Sequence, residues 1–402
     1  MKHLQTKYNL LQIFYWMAVC SMYGFTAIFL SSKGLSNTGI GAAAGGACIL
    51  SIFFSPLLSS LSSKYSKISL QQYLMAGMAV SALCYVLTAF IELPAAVLIV
   101  LFMIGCCISM SLNSFLSQIS MDYIEDGAKL SFGTARGLGS ISYAISAVLF
   151  TQLASWFTPS FLALMFAAAA GGFTVLLQTI QPVYAKSTAG QEKSGTLTGC
   201  IQRYPVYFLI LVGFALVFAA AAALATYLIN IIHVHGGSDS LYGIAVFCMA
   251  ASEMPVMAAS DKLIKRFGSM KLIAAAGLFY VLRNTLIAAS PNLGILLLGM
   301  AFQGVSFGLM TAVITVYVSQ NLKKPDQVMG QTMICLMTTG VGSTIGNVLG
   351  GWMIDNMGME ALFTGCIVIT LAGAAIMIAA CCTEFLAGKA RALKDRIFSP
   401  VG

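Results

Sequence analysis

Long apolar stretches recur along the whole chain, and they constrain its fold more than any other feature. A helix needs about 20 predominantly apolar residues to cross the hydrocarbon core of a bilayer. Hydrophobic residues make up 59% of the chain and charged residues only 8%, whereas soluble domains contain about 25% charged residues. Twelve candidate spans lie near residues 9–31, 38–61, 70–91, 94–121, 131–156, 160–182, 205–232, 240–258, 270–289, 293–319, 331–354 and 360–383. The sequence therefore predicts an all-α membrane protein with twelve transmembrane helices.

The first span follows the basic residues Lys2 and Lys7, as the apolar region of a signal peptide would. Its apolar core is longer than the 7–15 residues of such a region, and no small-residue cleavage site stands out. We therefore expect the first span to be retained as a transmembrane helix.

The basic residues predict the orientation of the spans. All of the 21 lysines and arginines except Lys33, Arg136 and Arg283 fall on one side of the membrane if the twelve spans alternate in direction. Cytoplasmic loops are enriched in Lys and Arg, so both termini are expected in the cytoplasm, in a multi-pass protein of the cell (inner or plasma) membrane. The net charge of +8 follows from this topology and indicates no nucleic-acid partner.

The remaining chemistry-bearing residue types give no sign of a metal centre or an enzyme. The eleven cysteines lie almost all within the spans and lack metal-binding spacing, so we interpret them as reduced thiols that pack in apolar surroundings. His233 and His235, with Asp239, fit either a surface metal site or, more simply, an exposed external loop. No cofactor and no enzymatic activity are expected.

A hydrophilic stretch near the middle divides the predicted helices into two sets of six. Across it, "SPLLSSLSSKYSKISLQQYLMAG" (55–77) is similar to "MPVMAASDKLIKRFGSMKLIAAAG" (254–277), and Gly133 has a counterpart in Gly330. The expected organisation is an N-terminal half at 1–182, a cytoplasmic linker at 183–204, a C-terminal half at 205–383 and a cytoplasmic tail at 384–402. Two six-helix halves resemble the major facilitator superfamily, in which the substrate site lies between the halves near the membrane midplane.

The segment "DKLIKRFGSMK", between the eighth and ninth spans, resembles a loop motif of that superfamily. The resemblance implies a gating loop in which Asp261, Lys265 and Arg266 latch neighbouring helix ends and Gly268 makes the tight turn. The alternative is an ordinary solvated loop. The N-terminal copy, "SSLSSKYSKIS", has lost the Asp and the Gly.

Three charged residues, Arg136, Glu253 and Arg283, are predicted deep within the spans. A charge at the centre of a transmembrane helix costs at least about 2.5–3.5 kcal/mol by insertion scales, so such residues tend to be functional. The alternatives are a cytoplasmic snorkelling position for Arg136, a structural ion pair for Glu253, and outward snorkelling or pairing with Glu253 for Arg283.

The same residues resemble the lactose permease-like oligosaccharide:proton symporters. "FGTARGLGSISYA" is similar to the fifth-helix segment of that group, which implies that Arg136 binds sugar hydroxyls and Tyr143 stacks on the sugar ring. Seven residues advance a helix by about 10.5 Å on nearly one face. Glu253 corresponds to a glutamate that bonds both sugar and arginine, and Arg283 to an arginine tied to proton coupling.

The sequence also departs from that group. Gln118 replaces the acidic partner of the arginine, and Gln303 is the nearest replacement for the missing His and Glu of the tenth helix. "SFGLM" resembles a branch that includes aromatic-acid and nucleoside carriers. The substrate class is therefore left broader than sugars.

Taken together, the residues predict a monomeric secondary active transporter that moves a sugar, oligosaccharide or nucleoside by alternating access in the lipid bilayer. Arg136, Tyr143, Gln118, Glu253 and Gln303 would bind the solute. Glu253 is the main candidate proton carrier, because its surroundings would alternate between a closed cavity and open water, and Asp122 is a weaker one.

Three alternatives remain open. The two deep arginines against one glutamate also suit a carrier of organic anions such as aromatic carboxylates. Multidrug efflux is compatible with the 22 methionines. A transporter-like sensor is less favoured, because the predicted soluble segments are short for a signalling surface.

Overall fold

A computed structural model describes residues 3–65, 67–184 and 197–398, with side chains described up to residue 384. Within this part of the chain, 11 helices are long and apolar enough to cross a membrane, or 12 if a pair bent by 50° counts as one span. In chain order they are α1 (Leu4–Gly24 with Thr26–Ser32), α2 (Asn37–Lys64), α3 (Leu70–Phe90), α4 (Ala95–Glu125), α5 (Phe132–Trp156), α6 (Phe161–Gln178), α7 (Pro205–Thr226), α8 (Ser240–Phe267), α9 (Ser269–Ala288), α10 (Leu293–Asn321), α11 (Lys324–Met357) and α12 (Met359–Glu384).

The predicted all-α fold with twelve spans is confirmed, but several boundaries differ from the prediction. The eighth helix does not end near 258 and continues through Pro255 to Phe267, and α11 begins at Lys324 instead of 331. Both extensions are polar, and helices continue beyond the apolar layer because their backbone hydrogen bonds do not depend on hydropathy. Of the predicted linker, only 183–184 and 197–204 are described, including a short helix at Leu197–Arg203; Lys186 and Lys193 lie outside the described residues.

Side-chain caps explain why several helices begin where they do. Ser36 accepts a hydrogen bond from the Gly39 N–H at the start of α2, and Ser131 accepts one from the Thr134 N–H at the start of α5. Ser69 and Gln72 form a reciprocal capping box at the start of α3. Such caps satisfy N–H groups that have no partner within the helix.

The helices form the two six-helix halves of the major facilitator fold. In the first half, α1 packs on α5 and α6, and α4 packs on α2 and α3. In the second, α12 packs on α7 and α9, and α10 packs on α9. The halves contact each other chiefly through α2 with α11 and α5 with α8.

The two ends of the bundle differ in how the halves meet. We call the end where α1 begins and α12 leaves the bundle the terminal end, and the other the opposite end. One hydrophobic core extends from the first half into the opposite-end portions of the second half, including Tyr227–Ile232 and Leu296–Met300. A separate core occupies the terminal-end portions of the second half, including Leu272–Tyr280. The halves are therefore joined at the opposite end and apart at the terminal end.

Small residues allow the close approach at the opposite end. A Cβ added to Gly41 in α2 would lie 2.2 Å from the carbonyl oxygen of Asn347 in α11. A Cβ added to Gly243 in α8 would lie 2.7 Å from the carbonyl oxygen of Ala147 in α5. Neither position accommodates a larger side chain without parting the helices.

Asp355, near the end of α11, caps the first turn of α2 across the same interface. Its carboxylate accepts hydrogen bonds from the backbone N–H groups of Asn37 and Thr38, at 3.2 and 2.7 Å. It also accepts bonds from the Asn37 amide and the Thr38 hydroxyl, at 2.9 and 2.7 Å. A negative charge at a helix N-terminus is favourable, so this contact stabilises the closed opposite end.

Candidate functional site

A cavity of about 160 Å³ lies between the two halves, adjacent to the closed opposite end. Its wall contains residues of α1, α5, α7, α8, α9, α10 and α11. The polar and aromatic members are Tyr23, Thr26, Tyr143, Phe218, Thr226, Tyr242, Tyr280, Arg283, Gln303 and Ser343. Binding sites for small molecules are typically apolar cavities with a few such polar groups.

Three of the helices around this cavity contain a π-helical turn. These turns are Cys20–Gly24 in α1, Gly304–Gly308 in α10 and Leu336–Gly342 in α11. Each contains or adjoins a residue of the cavity wall, Tyr23, Gln303 or Ser343. Such turns locally break the regular bonding of a helix and occur frequently at functional sites.

Arg136 does not snorkel away from the protein but lies against an aromatic ring of a neighbouring helix. Its guanidinium carbon is 4.0 Å from the centre of the Trp16 ring in α1, and its Nη1 donates to the Ser140 hydroxyl at 2.7 Å. A guanidinium stacked on an indole is held by a cation–π interaction. The arginine head is thereby fixed on the terminal side of the cavity.

Tyr143 lines the cavity, but the space between it and Arg136 is not empty. The Trp16 ring stands between them, 6.3 Å from the Tyr143 ring and inclined at 69° to it. Gly139 makes room for it, since a Cβ there would lie 2.4 Å from the indole Cδ1. The indole N–H donates to Gln12 at 3.1 Å, which fixes the orientation of the ring. Sequence reasoning did not find Trp16.

Glu253 and Gln303 are brought together by the crossing of α8 and α10. The Gln303 amide donates to the Glu253 carboxylate at 3.2 Å, while the buried Gln303 Oε1 has no hydrogen-bond partner in the described part of the chain. Gly304 permits the crossing, because a Cβ there would lie 2.0 Å from the carbonyl oxygen of Ser252. The Gly304 N–H also donates to the Ser252 hydroxyl at 3.0 Å.

Arg283 is buried, with 1% of its surface exposed, so the alternative of outward snorkelling is wrong. It lines the cavity, and its Nη1 donates to the Asn284 amide oxygen at 2.8 Å. The Asn284 amide nitrogen is held in turn by the carbonyl of Val217 at 3.3 Å and the Thr370 hydroxyl at 2.9 Å. The guanidinium is therefore positioned by three helices, α7, α9 and α12.

The three deep charges interact without direct contact. Among the described residues, no ion pair within 4.0 Å joins Glu253 to Arg136 or Arg283. Both arginines nevertheless lie within electrostatic range of the carboxylate. The alternative of a direct structural ion pair for Glu253 is therefore not found in this conformation.

Tyr143, Arg283 and Gln303 line the cavity, whereas the other predicted binding and coupling residues, Arg136, Glu253, Gln118 and Asp122, are not among the residues of its wall. Gln118 is half-buried in α4, and Asp122 is buried one turn further towards the terminal end of the same helix. The structure does not bring either residue to the residues that line the cavity. Their assignment to substrate and proton stays a prediction.

The predicted gating loop has the expected turn but not the expected latch. Gly268 adopts φ +80°, which favours glycine, and its N–H bonds the carbonyl of Ile264 to end α8. Asp261, Lys265 and Arg266 are exposed, and no ion pair within 4.0 Å involves Asp261 in the described part of the chain. Exposed side chains gain little from pairing in water.

An ion pair that sequence reasoning missed lies at the terminal end of the second half. Arg203 bonds the buried Asp326 at 2.9 Å, and the Tyr204 hydroxyl donates to the same carboxylate at 3.1 Å. The predicted eleventh span began at residue 331, so the sequence did not indicate that Asp326 lies in the first turn of a helix.

His233 and His235, at the opposite end of the bundle, do not converge on a metal site. His233 bonds Asp239 at 2.6 Å, whereas His235 bonds the Ser290 hydroxyl at 2.8 Å. In the described residues, no group of three or more His, Cys, Asp or Glu side chains has the arrangement to hold a metal ion.

The fold and the central cavity define a multi-pass membrane protein with transporter architecture. Residues 5–365 match the MFS_1 like family, and the chain therefore belongs to this family of the major facilitator superfamily.

The chain is similar to maltose permease of Geobacillus stearothermophilus, with 26% identity over 64% of this chain and 65% of the relative. It is also similar to the uncharacterized transporter YwbF of Bacillus subtilis, with 23% identity over 64% and 63% of the two chains. The matched regions thus span just under two thirds of the length of these relatives.

Solved structures with the same fold include a mutant form of the nucleoside transporter NupG, with a TM-score of 0.80, 15% identity and coverage of 94% of this chain and 99% of that one. A bacterial homolog of the human lysosomal transporter Spinster, in an inward-facing and unoccupied conformation, gives a TM-score of 0.68 at 14% identity, with full coverage of both chains. These named relatives and neighbours are transporters, not enzymes.

Proposed function

We propose that the protein is a secondary active transporter that moves a small polar solute by alternating access. The observation that carries this proposal is the cavity between two halves that are joined at the opposite end and apart at the terminal end. Rocking of one half against the other would close the terminal end and expose the same cavity on the other side. We expect the protein to act as a monomer.

The protein is proposed to lie in the plasma membrane with its terminal end facing the cytoplasm. Its loops carry the clustered basic residues, among them Lys64, Lys262, Lys265, Lys323 and Lys324. Cytoplasmic loops have this bias. The conformation described here is then inward-facing.

The proposed solute is a sugar, an oligosaccharide or a nucleoside. Support comes from the rings of Tyr23, Tyr143, Tyr242 and Tyr280, which offer flat apolar faces beside hydrogen-bonding groups in the cavity wall. Sugars and nucleosides combine an apolar ring face with hydroxyl groups, so they suit such a wall. The relative named a maltose permease and the fold neighbour named a nucleoside transporter are compatible with this class.

Arg136 is proposed to bind solute hydroxyls from the terminal side of the cavity. The solute would contact the guanidinium where Trp16 and Ser140 hold it. Tyr143 would be the next aromatic ring that the solute meets towards the opposite end. Gln118 would join the site through motion of α4.

Transport is proposed to be proton-coupled through Glu253. Its carboxyl is half-buried and bonded to the neutral Gln303, so its protonation does not break an ion pair within 4.0 Å in the described structure. Arg283 would influence this step because its positive charge interacts with the Glu253 carboxyl at a distance. Asp122 is the second candidate proton carrier.

A carrier of organic anions is the second candidate function. The observation in its favour is the buried Arg283 in the cavity wall, which has no carboxylate within 4.0 Å among the described residues. A substrate carboxylate would balance this charge.

Uptake into proteoliposomes, with and without an inward proton gradient, tests the proposal with maltose, uridine and benzoate as solutes. Gradient-driven uptake of a hydroxylated solute that Arg136→Lys strongly reduces is expected, because an ammonium cannot reproduce the two parallel bonds of a guanidinium. Lys271→Gln, an exposed change at the start of α9, is the control. Failure of all three solutes to exchange would contradict the proposal, and uptake of benzoate alone would favour the anion carrier.

A further inference from the structure

Among the described residues that line the central cavity, three have a buried polar side-chain atom without a hydrogen-bond partner. These atoms are the Nε–H of Arg283, the hydroxyl of Tyr280 and the Oε1 of Gln303. Buried polar groups in folded proteins are nearly always bonded, so unsatisfied groups on residues that line a cavity require an explanation, and a bound molecule that supplies the missing partners is one. The three atoms have almost no exposed surface in this conformation, so such a molecule would reach them when the cavity wall moves.

The charge at this place is positive and is not balanced by contact. Arg283 is 1% exposed, and its Nη1 donates to the neutral amide of Asn284. Glu253 lies within electrostatic range, but its carboxylate accepts its hydrogen bond from the Gln303 amide. A buried charge is retained only when it is paired or used, because removing it from water is costly.

The chemistry of the three atoms specifies what the missing partner must offer. Arg283 and Tyr280 present donors, which suit the two oxygens of a carboxylate. Gln303 presents an acceptor, which suits the hydroxyl of the same solute and not a second carboxylate oxygen. A neutral sugar would leave the charge unbalanced, and a simple aromatic acid would leave Gln303 unsatisfied.

We propose that Arg283, Tyr280 and Gln303 form a subsite for a solute that carries one carboxylate together with hydroxyl groups, as a sugar acid does. This inference rests on the proposed transport function and combines the hydroxyl groups of its first solute class with the carboxylate of its second. Asn284 is a positioning residue for the subsite: it is fully buried, it accepts a hydrogen bond from the Arg283 Nη1, and its own amide nitrogen is held by Val217 and Thr370.

Equilibrium binding to the full-length purified protein tests the proposal with D-glucuronate, D-glucose and benzoate at matched ionic strength. D-glucuronate and D-glucose differ by a carboxylate in place of a hydroxymethyl group. Glucuronate is expected to bind about 10- to 100-fold more tightly than glucose, the effect of a charge-assisted hydrogen bond. Arg283→Gln is expected to abolish this difference while binding of glucose changes little.

Matched variants separate the subsite from a general loss of folding. Tyr280→Phe removes only a hydroxyl and is expected to weaken glucuronate more than glucose, whereas Arg136→Gln is expected to weaken both solutes alike. Lys271→Gln is expected to change neither. If Arg283→Gln does not fold, as judged by gel filtration, Arg283→Lys and Tyr280→Phe decide the test through the glucuronate-to-glucose ratio.

The possible results distinguish this inference from the wider proposal. Equal affinity for glucose and glucuronate, or a ratio that neither Arg283 nor Tyr280 variants alter, would overturn the subsite. Benzoate binding as tightly as glucuronate would overturn the role of the hydroxyls and of Gln303. Uptake of maltose or uridine without any binding of glucuronate would overturn the subsite and leave the transport function in place.

Discussion

Substituting Gly41 with Ala is expected to favour opening of the opposite end. The added Cβ would lie 2.2 Å from the carbonyl oxygen of Asn347 and 2.7 Å from the Tyr227 hydroxyl, distances that atoms in contact do not reach. The nearest obstacle is backbone, so relief requires that α2 and α11 move apart. That movement is the one that alternating access needs at this end.

The size of the effect is set by the steric term, because the second effect of the substitution cancels. Overpacking a tight contact costs about 1–3 kcal/mol, and this cost falls only on the conformation in which α2 and α11 touch. Alanine also favours the helix by about 0.5–1 kcal/mol relative to glycine, but in both conformations, so this gain cancels. The ratio of opposite-end-open to opposite-end-closed molecules should rise by about 5- to 150-fold.

Distance measurements between spin labels can follow the two ends independently. Spin labels would be attached to cysteines introduced in pairs. The labels at positions 92 and 356, at the opposite end, should move apart in Gly41→Ala, and the labels at positions 129 and 324, at the terminal end, should move closer together. The labels require that the exposed Cys335 and Cys382 be replaced by serine.

Gly171→Ala is the matched control for this prediction, because a Cβ there would meet nothing within 4 Å. It makes the same chemical change in the helix α6. Unchanged distances in Gly41→Ala, or equal changes in both variants, would refute the steric argument and with it the role of the α2–α11 contact as the closed gate.

Three further changes probe other parts of the structure. Asp355→Asn should also favour opening of the opposite end, by a smaller factor, because an exposed cap contributes about 0.5–1 kcal/mol after solvent screening; Glu360→Gln, an exposed acid at the same end, should not alter the label distances. Asp326→Asn should lower the thermal unfolding midpoint, because a buried group loses its charge-assisted bonds, worth about 1–3 kcal/mol, and an unchanged midpoint would contradict this. Glu253→Gln should keep solute exchange and abolish proton-driven accumulation, because an amide cannot release a proton; accumulation that survives would assign the coupling proton to another group.

Among the candidate site residues, those that share one helix or a fixed helix crossing were the most predictable. Arg136 and Tyr143 are two turns apart on α5, so their common face follows from helix geometry alone. Glu253 and Gln303 were assigned to the substrate site separately and by resemblance, and only the structure showed that they approach to 3.2 Å. The cavity aromatic residues Tyr23 and Tyr242 were missed, because a tyrosine in an apolar span has no sequence feature that separates a cavity wall from a lipid face.

The sequence by itself determined that the chain crosses a membrane about twelve times. The reason is that the bilayer sets the length and polarity of every span, and both properties can be read from consecutive residues of the sequence. The resemblance in sequence extended this to the major facilitator fold. The sequence did not predict the polar extensions of α8 and α11, because water at the helix ends does not restrict the length or polarity of a helix.

Only the tertiary structure decided which groups meet across the bundle. Trp16 lies between Arg136 and Tyr143, and Asp355 caps α2, a helix that begins more than 300 residues earlier in the chain. Arg283 is buried against Asn284 instead of reaching water. These contacts depend on how close helices from distant parts of the sequence approach, and that distance is set by glycines and side-chain volumes on both partners at once.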